Sequence, residues 1–442
     1  MLEIKDIVKN ELCTGCGLCI SESVDGFMEW DDYGFLVPNI DSTYNEKAIK
    51  LCPFNPQPDE EVKDEDKLAN LFLNETTNKD VKVGKYINTY VGHSNSFRES
   101  ASSGGIATYV FEELLKRKVV DHIYVVNEMN GTYAYQLFSD IASIKRTSKT
   151  KYIPVTLSEL FKNIDKLEGK VALSGVACFI KAVRLKQFYN PTLKEKIPFL
   201  IGIICGGLKS KFFTDYLAQV AGIEGEYSKQ DYRLKDKNST ASDYSFGAFD
   251  KENVFHQTKM SIVGDMWGTG LFKSNACDFC TDVTTELADI SLGDAWLAPY
   301  KYDGLGTSVI VTRNLLADEI IVNGINKNSL HVTELKFSEF LASQKGSFNH
   351  RHSGLKFRVQ KHKREKLLLP NIRQRFLSNT SFEFKLVQKR RMKLRRESLY
   401  LWKKYPKKND FEDRVSFLKK DLIKYTVLYH RIGRVRKMLG LK

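Results

Sequence analysis

From about Val81 the apolar positions alternate between two kinds of pattern. Short strand-like runs occur in INTYVGH, VVDHIYVV, KVALSG and PFLIGIIC, whereas ATYVFEELLKR has the spacing of an amphipathic helix. Strands that alternate with helices predict an α/β core. Because ligands of open α/β sheets gather at the carboxyl ends of the strands, the residues that follow these runs are the first candidates for a site.

A different pattern marks the C-terminal end. Apolar residues there recur every three or four positions, which predicts one face of a helix: Val415, Leu418, Leu422, Tyr425, Tyr429, Ile432, Val435 and Leu439. Residues 356–442 contain 28 Lys and Arg against 7 Asp and Glu, so this extension carries +21 while the whole chain carries +14, and the rest of the chain is mildly acidic.

The basic extension has several possible partners. A basic amphipathic helix suits an anionic membrane surface or an acidic partner protein. It is equally consistent with a helix packed on the acidic remainder of its own chain. Nucleic acid is the least favoured partner, since no recognisable nucleic-acid module is present.

The eight cysteines form two sets of four. Cys13, Cys16 and Cys19 follow one another at two-residue gaps in CTGCGLC, a spacing typical of a 4Fe-4S cluster. The usual fourth position is Ser23, so we predict that Cys52, which precedes Pro53, is the displaced fourth ligand. A structural zinc site and, less favoured, a disulfide framework are the alternatives.

The second set is Cys178, Cys205 and the C-x-x-C pair Cys277 and Cys280. Cys178 and Cys205 each follow a predicted strand. By themselves, Cys178 and Cys205 are also consistent with buried apolar thiols. The pair Cys277 and Cys280 is also consistent with thioredoxin-type redox chemistry.

A Gly-rich turn precedes the predicted helix in ESASSGGIATYVFEELL. Backbone N–H groups at such a helix start suit a phosphate, here near Ser103, Gly104 and Gly105. The alternative is an ordinary N-cap made by Ser102 or Ser103.

Seven motifs in order resemble the family of coenzyme F420 (deazaflavin) hydrogenase/dehydrogenase beta subunits, from about residue 10 to about residue 315. They are CTGCGLC, SSGGIAT, TKYI, SGVACFIKAV, IICGGLKSKFF, CDFC and ADISLGDAW. The resemblance implies that each cysteine set holds a 4Fe-4S cluster. It also implies a flavin site at Ser103, Gly104, Gly105, Thr150, Lys151, Gly293 and Asp294.

The chain departs from the family pattern at two places. Val176-Ala177 stand before Cys178, and Gly206-Gly207 stand after Cys205. These departures argue against use of the deazaflavin coenzyme. The resemblance itself implies FAD as the bound flavin, with FMN as the other option.

The predicted fold is an α/β flavin-binding core with a small N-terminal ferredoxin-like module and a basic, mainly helical C-terminal extension. Prolines and six closely spaced acidic residues after Pro56 indicate a solvated linker. The predicted segments are the iron-sulfur module (1–55), the acidic linker (56–80), the core domain (81–355) and the extension (356–442).

The predicted function is a flavin-dependent oxidoreductase that passes electrons from a ferredoxin-like donor through two 4Fe-4S clusters to FAD and a small-molecule or glycan-precursor substrate, with surface-polysaccharide metabolism as a candidate setting. No catalytic residue is identified, and His93 is interpreted as structural. The alternatives are a non-catalytic electron-transfer subunit and a zinc-stabilised basic binding protein. Without a signal peptide or a long apolar run, the predicted location is the cytoplasm, with peripheral attachment to the inner membrane face as an option.

Overall fold

The computed structural model describes residues 2–129 and 131–440. The N-terminal segment folds into short helices and one hairpin, and its loop of three cysteines packs against the core domain, where the Leu157 amide donates to the Cys16 carbonyl at 3.0 Å. The two strands of the hairpin are antiparallel. The elements are α1 (Ile4–Lys9), β1 (Phe27–Trp30), β2 (Leu36–Asn39) and α2 (Asn45–Lys50).

The segment predicted as a solvated linker is instead folded. Asp64 caps a helix, and Leu68, Ala69 and Leu73 are buried in the same apolar core as Cys16 and Cys178. The acidic residues dominate the composition, but apolar residues at helical spacing between them drive the packing. The elements are α3 (Glu65–Phe72), β3 (Asn78–Asp80) and β4 (Gly84–Tyr86).

The core domain contains the predicted strands and helices. Apolar runs that are buried on both faces form the central strands, because helices cover both sides of the sheet. Its first part comprises β5 (Thr89–Ser94), α4 (Ile106–Lys116), β6 (His122–Met129), β7 (Thr132–Phe138), α5 (Ile141–Ile144), α6 (Ser158–Asn163), β8 (Val171–Val176), α7 (Ala177–Tyr189), α8 (Leu193–Lys196), β9 (Phe199–Ile203) and α9 (Lys211–Val220).

The second part of the domain adds a separate antiparallel sheet of three strands, β10, β11 and β12, which the sequence patterns do not predict. Its strands mix polar and aromatic residues without a clear period. The elements are β10 (Tyr227–Leu234), β11 (Ser245–Asp250), β12 (Phe255–Lys259), α10 (Met260–Val263), β13 (Ile290–Asp294), β14 (Ser308–Thr312), α11 (Leu315–Asn326) and β15 (Leu330–Glu334).

The large sheet has eight strands in the order β15-β5-β14-β13-β9-β8-β6-β7. The β13, β9, β8 and β6 strands are parallel, and the remaining pairings are antiparallel. Because β8, β9 and β13 are adjacent and point the same way, the residues that follow them meet at one edge of the sheet.

The chain after the sheet is helical, as predicted. A single π-helical turn at residues 349–353 separates two of the helices, and the last two helices pack side by side. The elements are α12 (Phe337–Ser343), α13 (Lys345–Phe348), α14 (Leu355–Arg364), α15 (Phe382–Lys404) and α16 (Lys408–Met438).

The predicted apolar face of α16 packs on the protein's own core over its first half. Val415 and Leu422 are buried in an apolar cluster with residues of α9 and α15, whereas Val435 and Leu439 are more than half exposed. Of the partners considered for this helix, its own chain therefore accounts for the first half. Throughout the described part of the chain, every helix is too short or too polar to cross a bilayer.

Val415→Ala is expected to lower the free energy of unfolding by about 2 kcal/mol, because it removes two buried methyl groups and leaves a cavity. The matched control is Val435→Ala on the same helix, whose side chain is exposed and whose loss should change stability by less than about 0.5 kcal/mol. Urea unfolding of both variants measures the difference. Equal values for the two would contradict the packing of α16.

Candidate functional site

The first cysteine set lies in the N-terminal loop after α1 and at the end of α2. Burial raises the pKa of the Cys13 thiol to about 12. Burial also raises the pKa of Cys19, and the charges of Cys16, Cys13 and Cys52 raise it further. The four predicted thiols are therefore close enough to influence one another, although Cys52 is 33 residues from Cys19 in sequence.

The second set meets at the carboxyl edge of the sheet. Cys178 lies in the first turn of α7 after β8, Cys205 follows β9, and the C-x-x-C pair lies in the loop before β13. Burial raises the pKa of Cys178, and the charges of Cys280, Cys205 and Cys277 add to that shift. The prediction that strand ends bring these residues together agrees with this geometry.

The two sets are neighbours. The charge of Cys16 also contributes to the raised pKa of Cys178, and both residues belong to one apolar core. The two sets therefore lie side by side in one core.

Hydrogen-bond donors lie near thiols of both sets. Within residues 2–129 and 131–440, no three His, Cys, Asp or Glu side chains are grouped closely enough to hold one metal ion. The sulfur ligands of a four-iron cluster accept N–H hydrogen bonds. Such donors are present: the Gly15 amide at 3.4 Å from Cys13 Sγ, the Leu208 amide at 3.2 Å from Cys277 Sγ, and the Arg351 guanidinium at 3.0 Å from Cys280 Sγ.

A cavity of about 840 Å³ opens beside both sets. Its lining includes Cys13 of the first set and Cys205 of the second. A volume of this size suits a cofactor of several rings. The cavity therefore places one potential ligand molecule within reach of both cysteine groups.

Most of the predicted flavin residues line this cavity. They are Ser103, Gly105, Thr150, Lys151, Gly293 and Asp294. Gly104 is not among the lining residues, and its amide donates to Ser308 Oγ on β14 at 3.1 Å.

The serines before α4 do not cap it. Gly105 occupies the N-cap in the left-handed region, with φ of 77°, and no side chain bonds to the first turn. Ser102 Oγ instead accepts from the Thr150 amide at 2.9 Å, and Ser103 Oγ donates to the Thr307 carbonyl at 3.3 Å. The Gly-rich turn therefore joins the TKYI segment to β14 at the wall of the cavity.

Lys151 is not a surface lysine. Its ammonium lies 4.3 Å from the centre of the Tyr133 ring and donates to the Gln230 carbonyl at 3.4 Å. Burial lowers the pKa of Lys151 to about 8. The group is thus protonated at neutral pH and close to losing its proton in mild alkali.

Asp294 is paired rather than free to cap a turn. It accepts from Arg233 Nη1 at 2.7 Å, and its carbonyl accepts from Gln344 Nε2 at 2.9 Å. Arg233 comes from β10 in the unpredicted sheet, and no local motif marks it. His93 stacks on His331 at 5.1 Å between ring centres, outside the cavity lining, which agrees with a structural role.

Aromatic side chains form another wall that the sequence does not reveal. The Tyr152 ring meets Trp267 edge-on at 5.0 Å, and Tyr244 lies nearby in the lining. A Cβ added at Gly206 would come within 3.0 Å of Trp267, so glycine permits this ring to pack here. A planar ligand ring would find apolar faces on this side.

The sequence matches two models of one family, the coenzyme F420 hydrogenase/dehydrogenase beta subunits. The model of the N-terminal region matches residues 89–162, and the model of the C-terminal region matches residues 168–337. Together they cover more than half of the chain and contain the whole eight-stranded sheet.

Curated relatives are also similar to the chain. The coenzyme F420-dependent sulfite reductase of Methanocaldococcus jannaschii is 21% identical over 76% of this chain and 51% of that protein, so the chain spans about half of that relative. A component of the F420H2 dehydrogenase of Methanosarcina mazei is 22% identical over 66% of this chain and 80% of that protein. These relatives are oxidoreductases or their subunits.

One solved structure is similar in part. A chain of the F420-reducing NiFe hydrogenase complex from Methanosarcina barkeri is 20% identical and superposes with a TM-score of 0.49, covering 67% of this chain and 99% of that chain.

The prediction that the chain binds FAD, or FMN, is wrong. The resemblance implied FAD, or FMN, and the sequence departures around Cys178 and Cys205 argued against the deazaflavin coenzyme. The matching family models are those of coenzyme F420 enzymes, and both curated relatives carry that coenzyme in their names. Coenzyme F420 therefore replaces FAD as the cofactor associated with this fold.

Other predictions are not tested by these matches. The relatives' names offer no support for surface-polysaccharide metabolism or for a ferredoxin-like donor. The two iron-sulfur clusters, the individual site residues and the domain boundaries also stay predictions, although the segment 56–80 is folded rather than solvated.

Proposed function

Since the chain belongs to the family of coenzyme F420 hydrogenase/dehydrogenase beta subunits, we propose that it is an electron-transfer subunit of a redox complex. In this proposal the cavity beside the sheet binds coenzyme F420. The eight cysteines bind two 4Fe-4S clusters that connect the coenzyme to a partner redox subunit. This is the electron-transfer alternative of the sequence analysis, with the coenzyme corrected.

The observation that supports the proposal is that one cavity contacts both cysteine sets. Cys13 and Cys205, one thiol from each set, both line it. When bound, a deazaflavin supplies two-electron chemistry and the clusters supply single-electron transfer, which is why the two kinds of cofactor belong side by side. A buried thiol pair without a redox role would not need to face a cavity of this size.

Different residues of the cavity suit different parts of the coenzyme. Tyr152, Tyr244 and Trp267 offer faces and edges for a planar ring system. Lys151 and Arg233 present cations for the anionic groups of the coenzyme, and the Asp294 carboxylate holds the Arg233 guanidinium in place at 2.7 Å. The Arg233 guanidinium lies 4.8 Å from the centre of the Tyr244 ring, so aromatic and cationic groups share this part of the cavity and could contact the ring system and the anionic groups of one molecule.

The proposal is tested with anaerobically reconstituted protein. Titration with coenzyme F420, followed by its fluorescence, should give saturable binding, and the reduced coenzyme should then transfer electrons to a viologen dye. Trp267→Ala should weaken binding by about tenfold or more, because it removes one aromatic wall. Trp30→Ala is the matched control, since Trp30 is half exposed on the N-terminal hairpin and does not line the cavity.

Iron-loaded protein that binds no coenzyme F420 would refute the proposed function. Reduction of a small molecule such as sulfite by the purified chain alone would instead favour a complete enzyme over an electron-transfer subunit.

Coenzyme binding is expected to depend on the charge of Lys151. Because burial lowers its pKa to about 8, the ammonium is present below that pH and is lost above it. Affinity for the anionic coenzyme should therefore fall by about tenfold as the pH rises from 7 to 9. Fluorescence titrations across this range measure the effect.

Lys151→Met should remove this pH-dependent step and bind weakly throughout. The control is Lys116→Met on the exposed face of α4, which should keep the wild-type profile. A Lys151→Met profile identical to that of the wild type would contradict the assignment.

A further inference from the structure

Some of the charged side chains at the basic extension are buried rather than exposed to solvent. Three arginines near or beyond its start are among the most buried charged residues of the protein: Arg351, Arg358 and Arg395, each at most 5% exposed. All three lie beyond residue 337, where the family models end. A buried arginine requires an anionic or polar partner, so its neighbours indicate its role.

Arg351 contacts the second cysteine set directly. One of its terminal nitrogens donates to Cys280 Sγ at 3.0 Å, and the other donates to the Cys205 carbonyl. A charge-assisted N–H donor to a cluster sulfur stabilises added negative charge on that cluster.

Arg358 supports Arg351 from the first turns of α14. It donates to the Arg351 carbonyl at 2.9 Å and to the Asp278 carbonyl at 2.6 Å. Asp278 lies between Cys277 and Cys280, so the same guanidinium fixes both Arg351 and the loop that holds the two cysteines.

Two more cations converge on that loop. The Asp278 carboxylate pairs with Lys273 at 2.7 Å and with Arg395 of α15 at 3.1 Å. Arg391 donates to His350 Nδ1 at 2.8 Å, and the other nitrogen of that imidazole lies 2.9 Å from the Lys273 ammonium. The imidazole between two cations is neutral, because burial and the charges of Lys273 and Arg391 lower its pKa.

The charge around the second set is therefore unbalanced. Arg351, Arg358, Arg395 and Lys273 contact the loop, and Arg391 lies behind them on His350, while the nearby carboxylates are Asp278, Asp282 and Glu65. Around the first set, the charges that act on the thiols include the Asp31 carboxylate at Cys13 and the Lys181 ammonium at Cys52. Both sets are similarly buried, and the arginines of the C-terminal helices lie at the second.

We propose that Arg351, Arg358, Arg391 and Arg395 form a cationic wall that raises the reduction potential of the second cluster above that of the first. The proposal rests on the proposed function, because it requires both clusters. Reduction adds one electron to a cluster without changing a bond or a proton, and positive charge nearby stabilises the reduced form. Electrons entering the chain would then settle on the second cluster.

The test is a redox titration of the anaerobic, iron-loaded protein monitored by electron paramagnetic resonance. The wild type should give two cluster signals with different midpoint potentials. In Arg351→Gln, the equilibrium constant for reducing the second cluster should fall at least tenfold, which lowers the higher midpoint potential by about 59 mV for one electron. The lower midpoint potential should be unchanged. Arg351→Lys, which keeps the charge, should restore part of the shift.

Arg391→Gln serves as a second variant, because Arg391 contributes charge without touching a cysteine or its loop. It should shift the same signal in the same direction by a smaller amount. Arg434→Gln, at an exposed position near the end of α16, is the control and should leave both potentials unchanged.

The outcomes separate the inference from the proposed function. A wild type without iron would refute the proposed function, and this inference with it. Iron-loaded variants with wild-type potentials would overturn the inference alone. Loss of iron from Arg351→Gln together with unchanged potentials in Arg391→Gln would also overturn it, because Arg351 would then only hold the loop.

Discussion

Cys52→Ala is expected to reduce the iron content of the reconstituted chain from about eight to about four atoms. Cys52 is the predicted fourth ligand of the first cluster, and its charge raises the pKa of Cys19 in the same buried group. Without it, the remaining three thiols lack the fourth sulfur that a cube needs. Electron transfer from reduced coenzyme F420 to a dye should fall by more than about a hundredfold, since even outer-shell partners of a metal site contribute 10–100-fold.

Ser23→Ala is the matched control for this prediction. Ser23 occupies the position where a ferredoxin-type motif has its fourth cysteine, but its Oγ accepts from the Gly26 amide at 3.0 Å and so serves a turn. The alanine variant should keep its full iron content. Iron analysis of both proteins decides the assignment, and retention of eight irons by Cys52→Ala would show that another residue completes the site.

Arg373→Met is expected to lower the free energy of unfolding by about 3–5 kcal/mol. Arg373 forms a two-pronged pair with Glu286 at 2.8 Å, and both side chains are 2% exposed. It also donates to Thr281 Oγ1, beside Cys280, and lies 3.2 Å from Glu65 of α3. Removing the guanidinium leaves the buried Glu286 carboxylate with the more distant Arg375 guanidinium, at 3.8 Å, in place of its two-pronged partner, which is the costly case for a buried ion pair.

Arg375→Met provides the comparison, two residues away. Arg375 pairs with Asp66 near the surface and lies 3.8 Å from Glu286, beyond hydrogen-bond distance, but its side chain is 27% exposed, so its loss should cost less than about 1 kcal/mol. Chemical denaturation followed by circular dichroism measures both variants. Similar values for the two would mean that the buried pair is not what joins this segment to the core.

The elements of the core domain follow from local patterns. Apolar runs such as those of β8 and β9 are long enough and apolar enough to read as buried strands, and the sequence also indicates that Cys178 and Cys205 follow them. The three-stranded sheet is absent from those predictions. Its strands are held by cross-strand pairing and packing on α9, which no single segment encodes.

Two predictions failed because composition was given more weight than packing. The acidic segment after Pro56 is folded, since Leu68 and Leu73 reach the core between the charged residues. The glycines after Cys205 suggested a change of cofactor. In the structure Gly206 faces the Trp267 ring, and Gly207 has φ of 137° beside the Lys273 side chain, so both glycines reflect close packing.

The sequence by itself determined the α/β core and the two sets of cysteines, because spacing and strand ends are local properties, and the resemblance to the family supplied six further residues that line the cavity. Only the tertiary structure decided that Cys13 and Cys205 border one cavity, that Arg233 and Trp267 complete it, and that arginines of the C-terminal helices face the second set. Those contacts join segments that are tens to hundreds of residues apart. They arise because a buried charged side chain without a partner costs free energy, so each one pairs with a group from another segment that the fold brings close.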